Sequence, residues 1–432
     1  MRQARRVPDK HSQVDQVTKQ VAVIGGGISG VCTAFFLADA GHDVVLIERH
    51  QNVAQESSFA SSGLVAPAYA GPSAVPGMPR RILSALFQSE SPVLLKPGLD
   101  RALWRWARRW VAECDLDRYR INRTRLQRLG LYSQGLLHRM REYYQLDYEQ
   151  AQGVLQLFRT EKDLKLAEPG IALLAENGIP HRQVDTDGAR AIEPALASDT
   201  ALAGALYLPQ DEAGNCPLFA RRIKHIAADI GVQFHFGRRV ERIEQDSRGV
   251  ALLIDGQRFP VDAVVVAAGA DSERLLQPLG VRLPLYPVRQ YAAAALIRNF
   301  DNAPKAALAD EAYKVEIARL GSRIRLSGVA QLTPDSASLK ERAMRTLIKA
   351  GSDWFPDAAG YAQANFWSGV RLVLPDGVPV LGPTPVRDVY INMAQAESGW
   401  TMAVGAGKLV SDMVSGQAPD IDADGLTMAR YG

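Results

Sequence analysis

Apolar residues along this chain fall into three kinds of run, and each predicts a different element. Short unbroken runs, Val21–Ile24 and Val44–Ile47, suit parallel strands covered on both faces. Between them, residues 31–40 carry apolar positions at helical spacing and stop at Gly41, a helix C-cap. Strands are expected at 153–158, 204–208, 232–236, 240–246, 250–254 and 258–267, with helices over 161–177 and 216–230. Residues 281–332 alternate apolar and polar in several runs, as an antiparallel sheet does. A helix over 338–349, two strands near Pro379 and Val389, and a helix over 400–414 follow. Residues 80–145 read as helical and 67–79, rich in Pro and Gly, as irregular. Parallel-sheet signals near residues 20, 45, 235 and 265 flank the antiparallel block, so the chain is expected to cross several times between two interleaved units.

The first strand, helix and second strand enclose Gly25-Gly26-Gly27-Ile28-Ser29-Gly30, which has G-x-G-x-x-G spacing. Gly25 permits the tight turn, Gly27 removes the side chain that would block a pyrophosphate, and Gly30 lets helix and sheet approach. Glu48 ends the second strand 18 residues after Gly30, where a carboxylate accepts from both ribose hydroxyls and argues against a 2′-phosphate. This whole constellation predicts a Rossmann-like dinucleotide-binding fold, with Gly25, Gly27, Ile28, Ser29, Gly30 and Glu48 at the cofactor. The hydroxyl-rich loop Ser57–Gly63 follows, and the strand into Gly269 repeats the strand-to-small-residue-turn pattern.

Bulk properties narrow the picture little further. A chain of 432 residues is long for one core and suggests two domains. The net charge of +3 does not imply nucleic-acid binding, and no apolar stretch is long enough to span a bilayer. Cys32, Cys114 and Cys216 read as free thiols in a reducing compartment, so a cytoplasmic location is expected. The seven histidines have no ligand spacing, so no metal site is expected. Residues 1–18 lack an apolar segment and read as a disordered basic leader rather than an export signal.

Several stretches beyond the glycine loop carry a resemblance. Leu155–Glu161, Leu208-Pro209-x-Asp211-Glu212-x-Gly214, Phe366-Trp367-x-Gly369-x-Arg371, Pro375-Asp376-Gly377 and Gly399-Trp400-Thr401-Met402-Ala403 stand in the order of one family. The chain resembles the D-amino-acid oxidase superfamily and, within it, the bacterial D-amino acid dehydrogenase small-subunit family. The resemblance selects FAD as the cofactor, a choice the glycine spacing cannot make. It implies a FAD-binding domain from 19–70, 210–280 and 365–432, and a substrate domain from 71–209 and 281–364. Arg49, Ser61, Ser62, Gly63, Val240 and Gly269 are expected around the cofactor. Gly399, Trp400, Thr401 and Met402 would open a helix whose N–H groups face the flavin pyrimidine edge.

The implied reaction is oxidative deamination of a D-amino acid, by hydride transfer from Cα to flavin N5, with electrons passed to a quinone of the respiratory chain. Arg371 is expected to fork onto the substrate carboxylate. Tyr313 is expected to donate to the same group, and Tyr69 and Tyr291 to wall the pocket. Other readings stay open: a dehydrogenase for a cyclic imino acid or N-substituted amine such as D-hydroxyproline, an O₂-using oxidase, or a non-catalytic electron-transfer subunit. Two departures bear on them. Where the family usually has a Gly-His-Gly-type turn, this chain has Ala394-Gln395-Ala396-Glu397-Ser398, and a polar block after Tyr291 is replaced by Ala292–Ala295.

Between Arg80 and Arg141 there are fourteen Lys/Arg against five Asp/Glu. Leu99, Leu103, Trp106, Trp110 and Cys114 share one helical face, opposite Arg101, Arg105, Arg108 and Arg109. Such a helix either lies on an anionic bilayer or packs that face on the substrate domain. The resemblance favours peripheral contact with the inner face of the cell membrane.

Overall fold

A computed structural model describes residues 17–85, 90–95, 100–332 and 337–431. Its first sheet has six strands in the order Val380–Pro383, Val389–Met393, Ala263–Val266, Gln20–Ile24, Asp43–Glu48 and Gln233–Phe236. All neighbours are parallel except the first pair. Alternate residues of the central strands enter different cores, which is why the runs are apolar without interruption. Val21, Val23, Val44 and Leu46 meet helices Ile28–Asp39, Cys216–Asp229 and Gly399–Ser415. Ala22, Ile24, Val45 and Ile47 meet the antiparallel strands Val240–Asp246, Gly249–Ile254 and Gln257–Val261.

The stretch 258–267, expected as one strand, is two strands in different sheets. Asp262 makes the corner: its backbone N–H donates to Gln20 O at 2.9 Å and its carboxylate accepts from Gln20 N at 2.7 Å. The helix expected over 338–349 runs on to Trp354.

The other large sheet has ten strands. Its path runs Asn365–Val373, Tyr286–Leu296, Arg323–Gln331, Val315–Leu320, Ala307–Asp310, Ala151–Phe158, Gly204–Ala213 and Leu64–Val65, with short strands Val93–Leu94 and Arg182–Val184 alongside. Strand Asn365–Val373 thus hydrogen-bonds into this sheet, although the sequence places its residues with the dinucleotide unit. Ala293 and Ala295 pack with Leu347 and Ala350 of helix Ala337–Trp354, so the alanine run is in part a packing surface.

Within 80–145 the described residues form helices Met78–Ala85, Arg101–Glu113 and Leu116–Tyr144 and the short strand Val93–Leu94. Asp100 accepts from Ala102 N and Leu103 N to start Arg101–Glu113, and Asp115 accepts from Asp117 N and Arg118 N to start Leu116–Tyr144. The amphipathic reading of Arg101–Glu113 holds, with a correction to what covers its apolar face. Leu103, Trp106 and Trp110 are each 7% exposed. They pack on Tyr286, Val288 and Val373 of the ten-stranded sheet, and Trp106 Nε1 donates to Val373 O at 3.0 Å. That face is consumed by the fold and is not presented to a bilayer; Leu99 lies outside the described residues. The first 16 residues of the expected leader and the side chain of Glu397 also lie outside them.

Candidate functional site

The carboxyl ends of the parallel strands open into a cleft of about 1450 Å³, part of it continuous with solvent. At one end the glycine loop has the expected geometry. A Cβ on Gly25 would lie 2.4 Å from Ala267 O, and one on Gly30 would lie 1.9 Å from Gly25 O. A Cβ on Gly27 would meet only Ser58 Oγ, at 3.4 Å, and Gly27 lines the cleft. Its missing side chain therefore leaves space on the ligand side. Glu48 accepts from Gly26 N at 2.6 Å and from His50 N at 2.7 Å, one to each oxygen, and each oxygen keeps a lone pair. Ile28 N donates to Ser58 Oγ at 3.0 Å, which ties the following loop to this turn.

Arg49 also lines the cleft, paired with Glu56 and, at 2.8 Å, with Asp271. Val240 lines it too, with its carbonyl accepting from Arg274 Nη2 at 2.9 Å. Ser61, Ser62 and Gly269 complete this part of the wall. Gly30 is buried behind the loop, and Gly63, at φ 100°, shapes the turn into Leu64–Val65 without lining the cleft.

Another part of the wall is built by strand Asn365–Val373 and helix Gly399–Ser415. Arg371 lines the cleft beside Gly369, and its Nη1 donates to Gln290 Oε1. That bond fixes the amide orientation. Gln290 Nε2 then donates to Ser327 Oγ at 3.2 Å, and the Ser327 hydroxyl donates to Ala60 O at 3.1 Å. The chain of bonds runs in one direction and ties the arginine to the loop at 57–62. Sequence reasoning missed Gln290 and Ser327, because they become neighbours only through strand register.

Gly399 and Trp400 line the cleft at the start of a 17-residue helix whose first turn has no side-chain cap. The indole N–H of Trp400 is buried and has no acceptor among the described residues. Thr401 does not line the cleft; its hydroxyl accepts from Ala66 N at 3.1 Å and donates to Leu64 O at 3.3 Å. Met402 is wholly buried in the core behind it.

The three tyrosines are elsewhere, for identifiable reasons. Tyr291 is 2% exposed and donates to Gln331. Tyr69 donates to Glu311 at 3.2 Å. The Tyr313 ring lies 4.6 Å under the Arg159 guanidinium, which bridges Asp310 and Asp353. None of the three is in the cleft wall. Loop 66–70 is held from behind by Asp211, which accepts from Ala68 N and Tyr69 N; burial pushes its carboxyl up to about 7.

The turn 394–398 keeps a left-handed backbone without glycine: φ is 62° at Ala394 and 44° at Ala396. Gln395 locks it. Ser29 Oγ donates to Gln395 Oε1 at 2.9 Å, Gln395 Nε2 to Asn392 Oδ1 at 2.6 Å, and Asn392 Nδ2 to Thr33 Oγ1 at 2.9 Å. Thr33 closes the ring onto Ser29 O at 2.7 Å. A left-handed alanine costs about 1–2 kcal/mol, offset in part by the lower chain entropy of alanine when unfolded. Ala396→Gly is therefore expected to stabilise the protein by about 0.5–1 kcal/mol in urea unfolding. A loss of stability would mean the turn is unstrained.

Residues 20–413 match the family described as FAD dependent oxidoreductase, and the chain belongs to it. Its curated relatives include two named D-amino acid dehydrogenase. One, from Bradyrhizobium diazoefficiens, is 38% identical and aligned over 95% of this chain and 99% of its own. The other, from Rhizorhabdus wittichii, is 40% identical over 95% and 100%. Among solved structures, glycine oxidase from Geobacillus kaustophilus superposes with TM-score 0.73 at 24% identity, covering 96% of this chain and 99% of that one. An FAD-bound L-α-glycerophosphate oxidase from Mycoplasma pneumoniae gives 0.66 at 16% identity, over 92% and 95%. The residues present fit FAD. Gly27 leaves space where a diphosphate approaches, Glu48 has free lone pairs, and Trp400 has a buried N–H awaiting an acceptor.

Proposed function

We propose that this enzyme oxidises D-amino acids to 2-oxo acids and ammonia, with FAD as the group that accepts a hydride from Cα. The observation that carries the reading is Arg371, a guanidinium in the wall of the cleft, aligned by Gln290 and tied through Ser327 to the loop at 57–62. It holds the substrate carboxylate and so fixes where Cα lies. The bound amine must be neutral for its nitrogen lone pair to replace the leaving hydride; the second N–H proton departs, and water then hydrolyses the imino acid. No strong base is required. The uncapped first turn of helix Gly399–Ser415 presents N–H groups toward negative charge in the cleft. The two D-amino acid dehydrogenase relatives, aligned over nearly the whole chain, support this substrate class. Anaerobic mixing with paired D- and L-amino acids is the test: D-isomers alone are expected to bleach the flavin's visible band. Bleaching by L-isomers, or by N-substituted amines and not D-amino acids, would replace the assignment.

We also propose that electrons leave to a quinone and that the protein docks peripherally on an anionic membrane. No described helix is long and apolar enough to cross one. With the Leu103–Trp106–Trp110 face buried, contact falls to the outer side of the same helix. Trp104 is 61% and Val111 51% exposed there, among Arg101, Arg105, Arg108 and Arg109. The protein is expected to float with phosphatidylglycerol vesicles at low salt and to be released at high salt. Equal flotation by the variant carrying Trp104→Ala and Arg105→Ala would remove this surface from consideration.

A further inference from the structure

Strand Arg323–Gln331 turns Arg325 and Ser327 to the same side, because alternate strand residues share a face. Ser327 shows which side: its hydroxyl reaches Ala60 O at 3.1 Å. The Arg325 guanidinium lies 5.8 Å from the Phe59 ring centroid and 5.0 Å from that of Trp367. Its neighbours are therefore residues 59–60 and strand Asn365–Val373, and Ala60, Ser61, Gly369 and Cys216 all line the cleft. Ala60 is also linked through Ser327 and Gln290 to Arg371, which ties this cation to the arginine proposed for the substrate carboxylate.

Arg325 is 8% exposed. Among the described residues it has no carboxylate partner, and its Nη1 is buried with no acceptor. Burial pulls the guanidinium down to about 10, so it remains charged at neutral pH. Two titratable groups act on it electrostatically: Arg323 has the same charge, and the Cys216 thiol supplies no countercharge because burial pushes it far up and keeps it neutral. An isolated buried cation is strongly unfavourable unless an anion arrives with a bound group. Three negative groups enter this cleft. The diphosphate would meet the backbone N–H groups beside Gly27, and the substrate carboxylate would meet Arg371. The third is the charge left on the isoalloxazine when it is reduced by two electrons.

We propose that Arg325 is the cation that offsets the negative charge of the reduced flavin, and that it thereby raises the flavin's reduction potential. The inference rests on FAD binding and on the orientation of the cofactor along the cleft, and does not depend on which amine is oxidised. Phe59 and Trp367 hold the guanidinium in place by cation–π contact, behind the lining residues Ala60, Ser61 and Gly369, so its charge acts on the cleft across that wall.

The test compares the holoenzyme with Arg325→Met and Arg325→Lys, using sulfite titration of the oxidised flavin and dye-equilibrated midpoint potentials. Neither readout uses an amino acid, so failure of the D-amino acid reading leaves it intact. R325M is expected to weaken sulfite binding at least tenfold and to lower the two-electron potential; tenfold corresponds to about 30 mV. R325K should remain within about threefold of the wild type in sulfite affinity, since it keeps the charge. Unchanged sulfite affinity and potential in FAD-loaded R325M would overturn the proposal. If R325M does not retain FAD, Arg325→Gln takes its place in the same comparison. Loss of FAD from both neutral variants would also overturn it, because a charge that acts on reduction leaves the oxidised cofactor bound.

Discussion

Arg371→Met is expected to lower kcat/KM toward a D-amino acid by about 10²–10³-fold, mainly through KM, while FAD stays bound. Truncating one partner of a desolvated, hydrogen-bonded charge pair costs about 3–4 kcal/mol, most of it the penalty of leaving the other charge unpaired. Here the unpaired group would be the substrate carboxylate. Methionine keeps the stem that packs in the wall and removes only the donors. Arg371→Lys should recover little, because a lysine offers a point charge and no fork. Gln290→Leu keeps the guanidinium but removes the acceptor that aims it, so its loss should be smaller, about tenfold, and also in KM. A wild-type KM in R371M would show that the carboxylate binds elsewhere, and the reaction class would need another anchor.

The dinucleotide unit was legible because its signals are local. Strand, turn, helix, strand and Glu48 occupy 29 consecutive residues from Gln20, and each glycine role is set by neighbours within that stretch or by one returning strand. The part of the cleft around Arg371 is assembled differently. Gln290 meets Arg371 across 81 positions and Ser327 across 37. The ladder between strands Tyr286–Leu296 and Arg323–Gln331 shifts register between Gln290 and Tyr291, so no period in the sequence announces the contact. The tyrosines illustrate a second limit. Residue type was a fair guide to chemistry, but orientation is decided by partners distant in sequence, such as Arg159 for Tyr313 and Gln331 for Tyr291. The helix Arg101–Glu113 shows a third. Periodicity gives a helix its apolar face, and only the fold says whether protein or lipid covers it.

Gly27 and Gly30, three positions apart, should fail in opposite ways, and the contrast tests the cofactor assignment without any turnover. Gly27→Val is expected to leave the apoprotein folded and to weaken FAD binding by about 100-fold or more. A Cβ at Gly27 meets only Ser58 Oγ at 3.4 Å, so the protein itself tolerates it. The added bulk occupies the approach of the diphosphate, and losing one or two charge-assisted hydrogen bonds to backbone N–H groups costs roughly 3 kcal/mol. Gly30→Ala is expected to destabilise the apoprotein itself, by about 1–3 kcal/mol, because its Cβ would fall 1.9 Å from Gly25 O between turn and helix. FAD titration by fluorescence quenching and urea unfolding of the two apoproteins separate these outcomes. If G27V binds FAD as the wild type does, the diphosphate does not pass over this turn, and the placement of the isoalloxazine near Arg371 and Arg325 loses its foundation. Binding lost in G27V with an intact fold would instead anchor the cofactor at the glycine loop, in the same cleft whose wall holds Arg371.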